Sequence, residues 1–155
     1  MKALLFSTLL FFTTSALAQT AADSLAWRSP ASLVERLLQC VSSEPGEAKQ
    51  WDSFKALCAA DARIAVLVQR SGKPPVLRSF SVDAFVQTMS QNSSPFQEKQ
   101  LKVEVDVFNG MATVWQPYEL QAGNERRTGV NTYQLYSNGQ RWYVHSLLWT
   151  EGDLP

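Results

Sequence analysis

Few side chains in this sequence can do acid–base or nucleophilic chemistry. The one histidine is His145. Alternation along its strand groups it with Tyr143, Leu147 and Trp149, opposite Trp142, Val144, Ser146 and Leu148. The cysteines are Cys40 and Cys58. A bridge between them would close a loop of about 18 residues and contribute about 3 kcal/mol in the chain-entropy model; buried free thiols are the alternative. Two cysteines and one distant histidine do not make a zinc site. Asp61, just before the first predicted strand, reads first as the cap of the Ala59–Ala62 turn and second as a weak candidate catalytic acid. Asp52 and Glu98 are weak candidates of the same kind. The sequence holds no G-x-S-x-G, P-loop or G-x-G-x-x-G motif.

The 155 residues suit one domain. Fourteen bases balance fourteen acids, which argues against a basic nucleic-acid module. Hydrophobic residues make up 45% and charged residues 18%, the composition of a folding chain rather than a disordered tail. Residues 1–18 read MKALLFSTLLFFTTSALA: one lysine, a short apolar run, and an A-x-A end. That pattern predicts a secretory signal peptide and an exported, periplasmic or secreted protein. The apolar run falls short of the roughly 20 residues a membrane-spanning helix needs. Residues 19–28 read as a flexible leader, 29–150 as the domain, and 151–155 as a tail.

These groups must be positioned by α and β elements in a definite order. Ser29–Pro30 opens a helix carrying Leu33, Val34, Leu37, Leu38 and Val41 at helical spacing. A second, shorter helix carries Trp51, Phe54, Leu57 and Cys58. Ala62–Arg70 and Val76–Phe80 read as strands around the turn Ser71–Pro75. Ser81 caps a third helix with Phe85, Val86 and Met89 on one face. Four strands follow: Leu101–Val107, Met111–Leu120, Thr128–Tyr136 and Gln140–Trp149. Asn109–Gly110 and Asn138–Gly139 mark tight hairpins. The order α-α-β-β-α-β-β-β-β predicts an α+β domain, three helices on a curved, mostly antiparallel, six-stranded sheet.

This order, with several local strings, resembles the nuclear transport factor 2-like superfamily (SnoaL-like or ketosteroid-isomerase-like cone fold), as an exported member of unassigned function. Asn109-Gly110-Met111-Ala112-Thr113-Val114-Trp115 resembles the family's G-x-A-x-V strand. Gly139 to Trp149 resembles its closing G-x-W-x-I-x-S-x-x-W strand. Phe96-Gln97-Glu98, Tyr118-Glu119 and Gly129 to Leu135 agree with the pattern. The superfamily includes polyketide cyclases, ketosteroid isomerase, scytalone dehydratase and non-enzymatic binding proteins, so fold alone selects no activity.

The resemblance implies a cone-shaped sheet around a pocket. Strand parity then assigns Gln116, Tyr118, Asn131 and Ser146, with Tyr133, to the concave face as ligand-binding groups. Trp51, with Phe54 and Trp27, would close the mouth. Glu104, Asp106 and Glu119 fall on the other parity, leaving no inward acid on the strands. The expected function is an exported domain binding a small, largely apolar ligand without cofactor or metal. One alternative is a cofactor-free lyase, isomerase or cyclase using Asp61 or Tyr118. Another is a non-enzymatic interaction subunit whose cavity is filled by its own side chains. Large apolar groups on the convex face, Trp115, Tyr143 and Trp149 among them, predict a homodimer, as relatives often form through this sheet. Neither nucleic acid nor, after signal cleavage, a membrane is an expected partner.

Overall fold

A computed structural model describes residues 22–91 and 94–154. The predicted signal peptide lies outside the described residues. Helix α1 spans Pro30–Val41, with the Ser29 hydroxyl accepting from the Ser32 amide at 3.2 Å. Its apolar stripe buries Leu33, Val34, Leu37 and Leu38. Helix α2 is Trp51–Leu57, and α3 is Val82–Ser90, capped by Ser81.

The strands are β1 Cys58–Arg70, β2 Lys73–Ser81, β3 Gln97–Gln100, β4 Glu104–Phe108, β5 Met111–Ala122, β6 Glu125–Ser137 and β7 Trp142–Glu151. They form one curved sheet in the order β2-β1-β7-β6-β5-β3, with β4 also on β5. Only β1 and β7 run parallel. The three helices cover one face, so the α+β architecture is as the sequence predicts.

The sheet has seven strands rather than six. The addition, β3, reads Gln-Glu-Lys-Gln and shows no apolar alternation. It forms because β5 extends past the end of β4 and offers Tyr118–Gln121 as a free edge. Strand β1 also begins earlier than expected, directly after α2. Cys58 is thus a strand residue, and Asp61 lies inside β1 beside its irregularity instead of capping a turn.

Strand β7 contains a bulge. Gln134 pairs with Ser146 and Leu135 with Val144, leaving His145 as the extra residue. Such an insertion reverses which face the following residues take. Val144 points into the core; beyond the bulge Leu147 and Trp149 point in, while Ser146 and Leu148 turn out.

Residues 22–28 are docked, not loose. Residues 22–26 form a helical turn that buries Asp23 and Ala26. Asp23 Oδ1 meets Arg36 Nε at 2.7 Å, and Ser53 Oγ donates to Asp23 Oδ2 at 2.8 Å. Arg36 Nη2 donates to Gln50 Oε1 at 2.6 Å. The Arg141 guanidinium lies 4.3 Å from the Trp27 ring, and the Trp27 carbonyl accepts from the Trp142 amide at 3.0 Å. At the other end Glu151, placed in the tail by sequence, closes β7, and Gly152 N donates to Thr128 O at 3.0 Å.

Cys40 and Cys58 are both buried and unbridged. Burial pushes their thiols up, to about 11 and about 12 respectively.

Candidate functional site

The concave face encloses a cavity of about 290 Å³ beneath the helices. Register places its lining row by row. Gln116 pairs with Asn131, which pairs with Trp149. One step along, Gln100, Tyr118, Gly129 and Glu151 lie abreast on four adjacent strands. On the other side of the Gln116 row, Val114, Tyr133, Leu147 and Ile64 do the same. The apolar walls come from Leu37, Leu38 and Val41 of α1, Phe54 of α2, and Phe85 and Met89 of α3.

The polar end is a connected set. Asn131 Nδ2 donates to Glu98 Oε1 at 2.6 Å and to Gln116 Oε1 at 3.3 Å. Tyr133 Oη donates to the same Gln116 oxygen at 2.9 Å, and Gln116 Nε2 donates to Gln100 Oε1 at 2.7 Å. The buried Gln116 amide therefore orients Asn131 and Tyr133 from behind without lining the cavity. Tyr118 is buried and lines the cavity, and its hydroxyl makes no hydrogen bond to any described residue.

Glu98 is the titratable group here. Its place on β3, paired with Leu120, turns the side chain inward. Burial raises its carboxyl to about 7, against the opposing effect of the Asn131 hydrogen bond and with a further upward push from Glu151. Glu98 and Leu38 also border a wider, polar cleft of about 720 Å³ between α1 and β3, so the carboxyl stands in a wall between two openings. Burial, and then the charges of Glu98 and Glu151, hold the Tyr118 hydroxyl well above its ordinary value. At the rim Arg127 is held by Glu125 at 2.6 Å and Glu151 at 3.3 Å.

Tyr118, Asn131 and Tyr133 line the cavity, and Gln116 supports them. Ser146 does not join them: the bulge at His145 turns it to the outer face. Trp51 stands behind the lining, edge-on to Phe54 at 6.0 Å and Phe85 at 6.2 Å. Asp61 is exposed on β1, away from the cavity. Trp149, expected on the convex face, lines the cavity instead and meets Phe85 at 6.0 Å. Trp115 and Tyr143 keep to the outer face, Tyr143 stacked on Tyr136 at 5.4 Å. The expectation of no inward acid is overturned by Glu98 and Glu151. Glu98 was legible only as a weak candidate, because β3 carries no apolar pattern to set its phase. His145 is exposed, as its parity suggests. Among the described residues no group of His, Cys, Asp and Glu is placed to hold a metal ion.

No protein-family model matches the chain, and no curated protein matches it. Solved structures do. An NTF2-like protein of unknown function from Pseudomonas putida KT2440 superposes with a TM-score of 0.61 at 17% identity, covering 84% of this chain and 87% of that one. A candidate ketosteroid isomerase from Kribbella flavida gives 0.55 at 15% identity over 80% and 78% of the chains. The beta subunit of a candidate aromatic-ring-hydroxylating dioxygenase from Novosphingobium aromaticivorans gives 0.63 at 10% identity over 90% and 94%. With its helices on the concave side of a bent sheet and its cavity between them, the chain has the nuclear transport factor 2-like cone fold.

Proposed function

We propose that this chain binds a small, largely apolar molecule in the cavity, with Tyr118, Asn131, Tyr133 and Glu98 setting its orientation. The observation that carries this reading is Tyr118, a buried residue on the cavity lining whose hydroxyl makes no hydrogen bond to any described residue. A hydroxyl that no described residue engages, on a largely apolar lining, is a place for a ligand acceptor. Native mass spectrometry of the full chain, purified from its own source, tests it. A retained small molecule that Tyr118→Phe releases supports the reading; a ligand-free spectrum, with no small molecule stabilising the protein in a thermal screen, refutes it.

A second reading, cofactor-free proton transfer by a lyase, isomerase or cyclase, is favoured by Glu98. A carboxyl at about 7, beside a phenol donor, is poised to take and return a proton near neutral pH. Glu98 replaces Asp61 as the candidate base. Turnover of a carbonyl substrate that disappears in Glu98→Gln, with ligand binding retained, would establish this reading; turnover unchanged in that variant excludes Glu98 as the base.

Export is proposed on residues 1–18, and self-association on the outer sheet face. Phe108, Met111, Trp115 and Leu148 are exposed there. Trp115 lies level with Thr132 and Leu148 across three strands, which suits the centre of a two-fold sheet-on-sheet contact. A dimer mass that Trp115→Lys reduces to monomer supports it, and a monomeric native protein refutes it.

A further inference from the structure

The cavity holds a carboxylate whose counter-charge the protein does not supply. Asn131 donates to one oxygen of Glu98, and no described side chain donates to the other. The charged group that acts on Glu98 is a second carboxylate, Glu151, which pushes the same way as burial. Arg127 is the one cationic side chain on the lining among the described residues, and Glu125 and Glu151 already engage it. Lys99, next to Glu98 on β3, alternates to the exposed side. Glu98 is half-buried and borders both openings, so its second oxygen is open to a cation that enters the cavity, and a carboxylate among aromatic walls is favoured by such pairing.

The walls suit the second outcome. Phe54, Phe85 and Trp149 form a run of touching rings, with Phe54–Phe85 at 5.5 Å and Phe85–Trp149 at 6.0 Å, and Tyr118, Tyr133 and Phe96 complete an aromatic lining. Aromatic faces attract cations and carry apolar bodies equally well. An anionic ligand would meet Glu98 and Glu151 with Arg127 already taken. A neutral ligand would leave the Glu98 charge unmatched.

We propose that the occupant of this cavity is a small primary or secondary amine, its protonated nitrogen on the Glu98 carboxylate and its carbon body among Phe54, Phe85, Tyr133 and Trp149. This deepens the ligand-binding reading above and rests on it. A volume of about 290 Å³ lies near the lower end for small-molecule sites, which limits the amine to a compact body such as one ring with a short chain.

Three probes with the same carbon skeleton separate the possibilities: 2-phenylethylamine, 2-phenylethanol and phenylacetate, titrated calorimetrically into the full chain at pH 8. The amine should bind about tenfold more tightly than the alcohol, as expected for a charge-assisted contact, with phenylacetate weakest. In Glu98→Gln the amine advantage should shrink to within about twofold. Should that variant fold poorly, the Glu98 carboxyl ¹³C resonance of the unaltered chain at pH 7 gives the same test. It should move to its ionised position with the amine and stay put with the alcohol. An amine that binds no better than the alcohol, an advantage that survives Glu98→Gln, or a resonance unmoved by saturating amine overturns the inference alone, and the cavity reading stands if any probe binds. Failure of all three probes to bind overturns both.

Discussion

Tyr118 lies directly across Gly129 on the neighbouring strand, and the phenol occupies the space a side chain there would fill. A Cβ built on Gly129 would come within 2.5 Å of both Tyr118 Oη and the Thr150 carbonyl oxygen. The backbone of Gly129 is not left-handed, so the glycine is present for room rather than for conformation. The same gap lets the Tyr118 hydroxyl lie in the cavity lining, level with Glu151.

Gly129→Ala should therefore destabilise the protein by about 1–3 kcal/mol, the usual cost of overpacking a filled site. One of the two clashing atoms is backbone, so side-chain adjustment alone does not relieve it. Urea unfolding of the variant and the parent chain measures this; an unchanged midpoint would mean the strands separate more freely than the register implies.

Stability should fall as pH rises through the interval set by Glu98. Burial raises its folded carboxyl to about 7, above its ordinary value of 4.5. The folded state thus binds the extra proton between those values, and unfolding releases it. The contribution is complete below about 4.5 and lost by about 7, an effect of about 1–3 kcal/mol. Glu98→Gln should flatten that part of the stability profile and be the more stable form at pH 8. Unfolding midpoints at pH 5 and pH 8 for both proteins decide it.

Arg36→Met should cost about 3–5 kcal/mol, because it strands the Asp23 carboxylate in a buried setting with only Ser53, among the described residues, as a side-chain donor at 2.8 Å. The double variant Asp23→Leu with Arg36→Met should recover most of that loss. Thermal unfolding of the two variants separates a stranded charge from simple loss of packing.

Neither thiol should react under native conditions, since burial keeps both protonated. An aromatic disulfide reagent should find no reactive cysteine in the folded chain and two after unfolding in denaturant. None after unfolding would show a bridge.

Much of this fold follows from local rules that need no tertiary context. Serine at 29 and 81 caps two helices, and Asn109–Gly110, both at positive φ, joins β4 to β5 in the register that the turn demands. Strand β5 alternates without interruption, so parity puts Gln116 and Tyr118 on one face, and that face is buried. Its partner β6 brings Asn131 and Tyr133 to the same side for the same reason.

Parity failed where the chain departs from a regular ladder. The residue inserted at His145 costs nothing visible in composition, yet it exchanges Ser146 and Leu148 for Leu147 and Trp149 on the concave face. Glu98 depends on a four-residue strand with no hydrophobic signal, held in place only by the edge that β5 leaves open beyond β4. Hydrophobic spacing and turn chemistry, which act within a few residues, are written in the sequence. Bulge position and edge pairing depend on contacts between segments far apart in the chain. That is why the amino acids alone determined the helix-covered curved sheet and its neutral dipoles, and the folded arrangement decided that the cavity is lined by an acid.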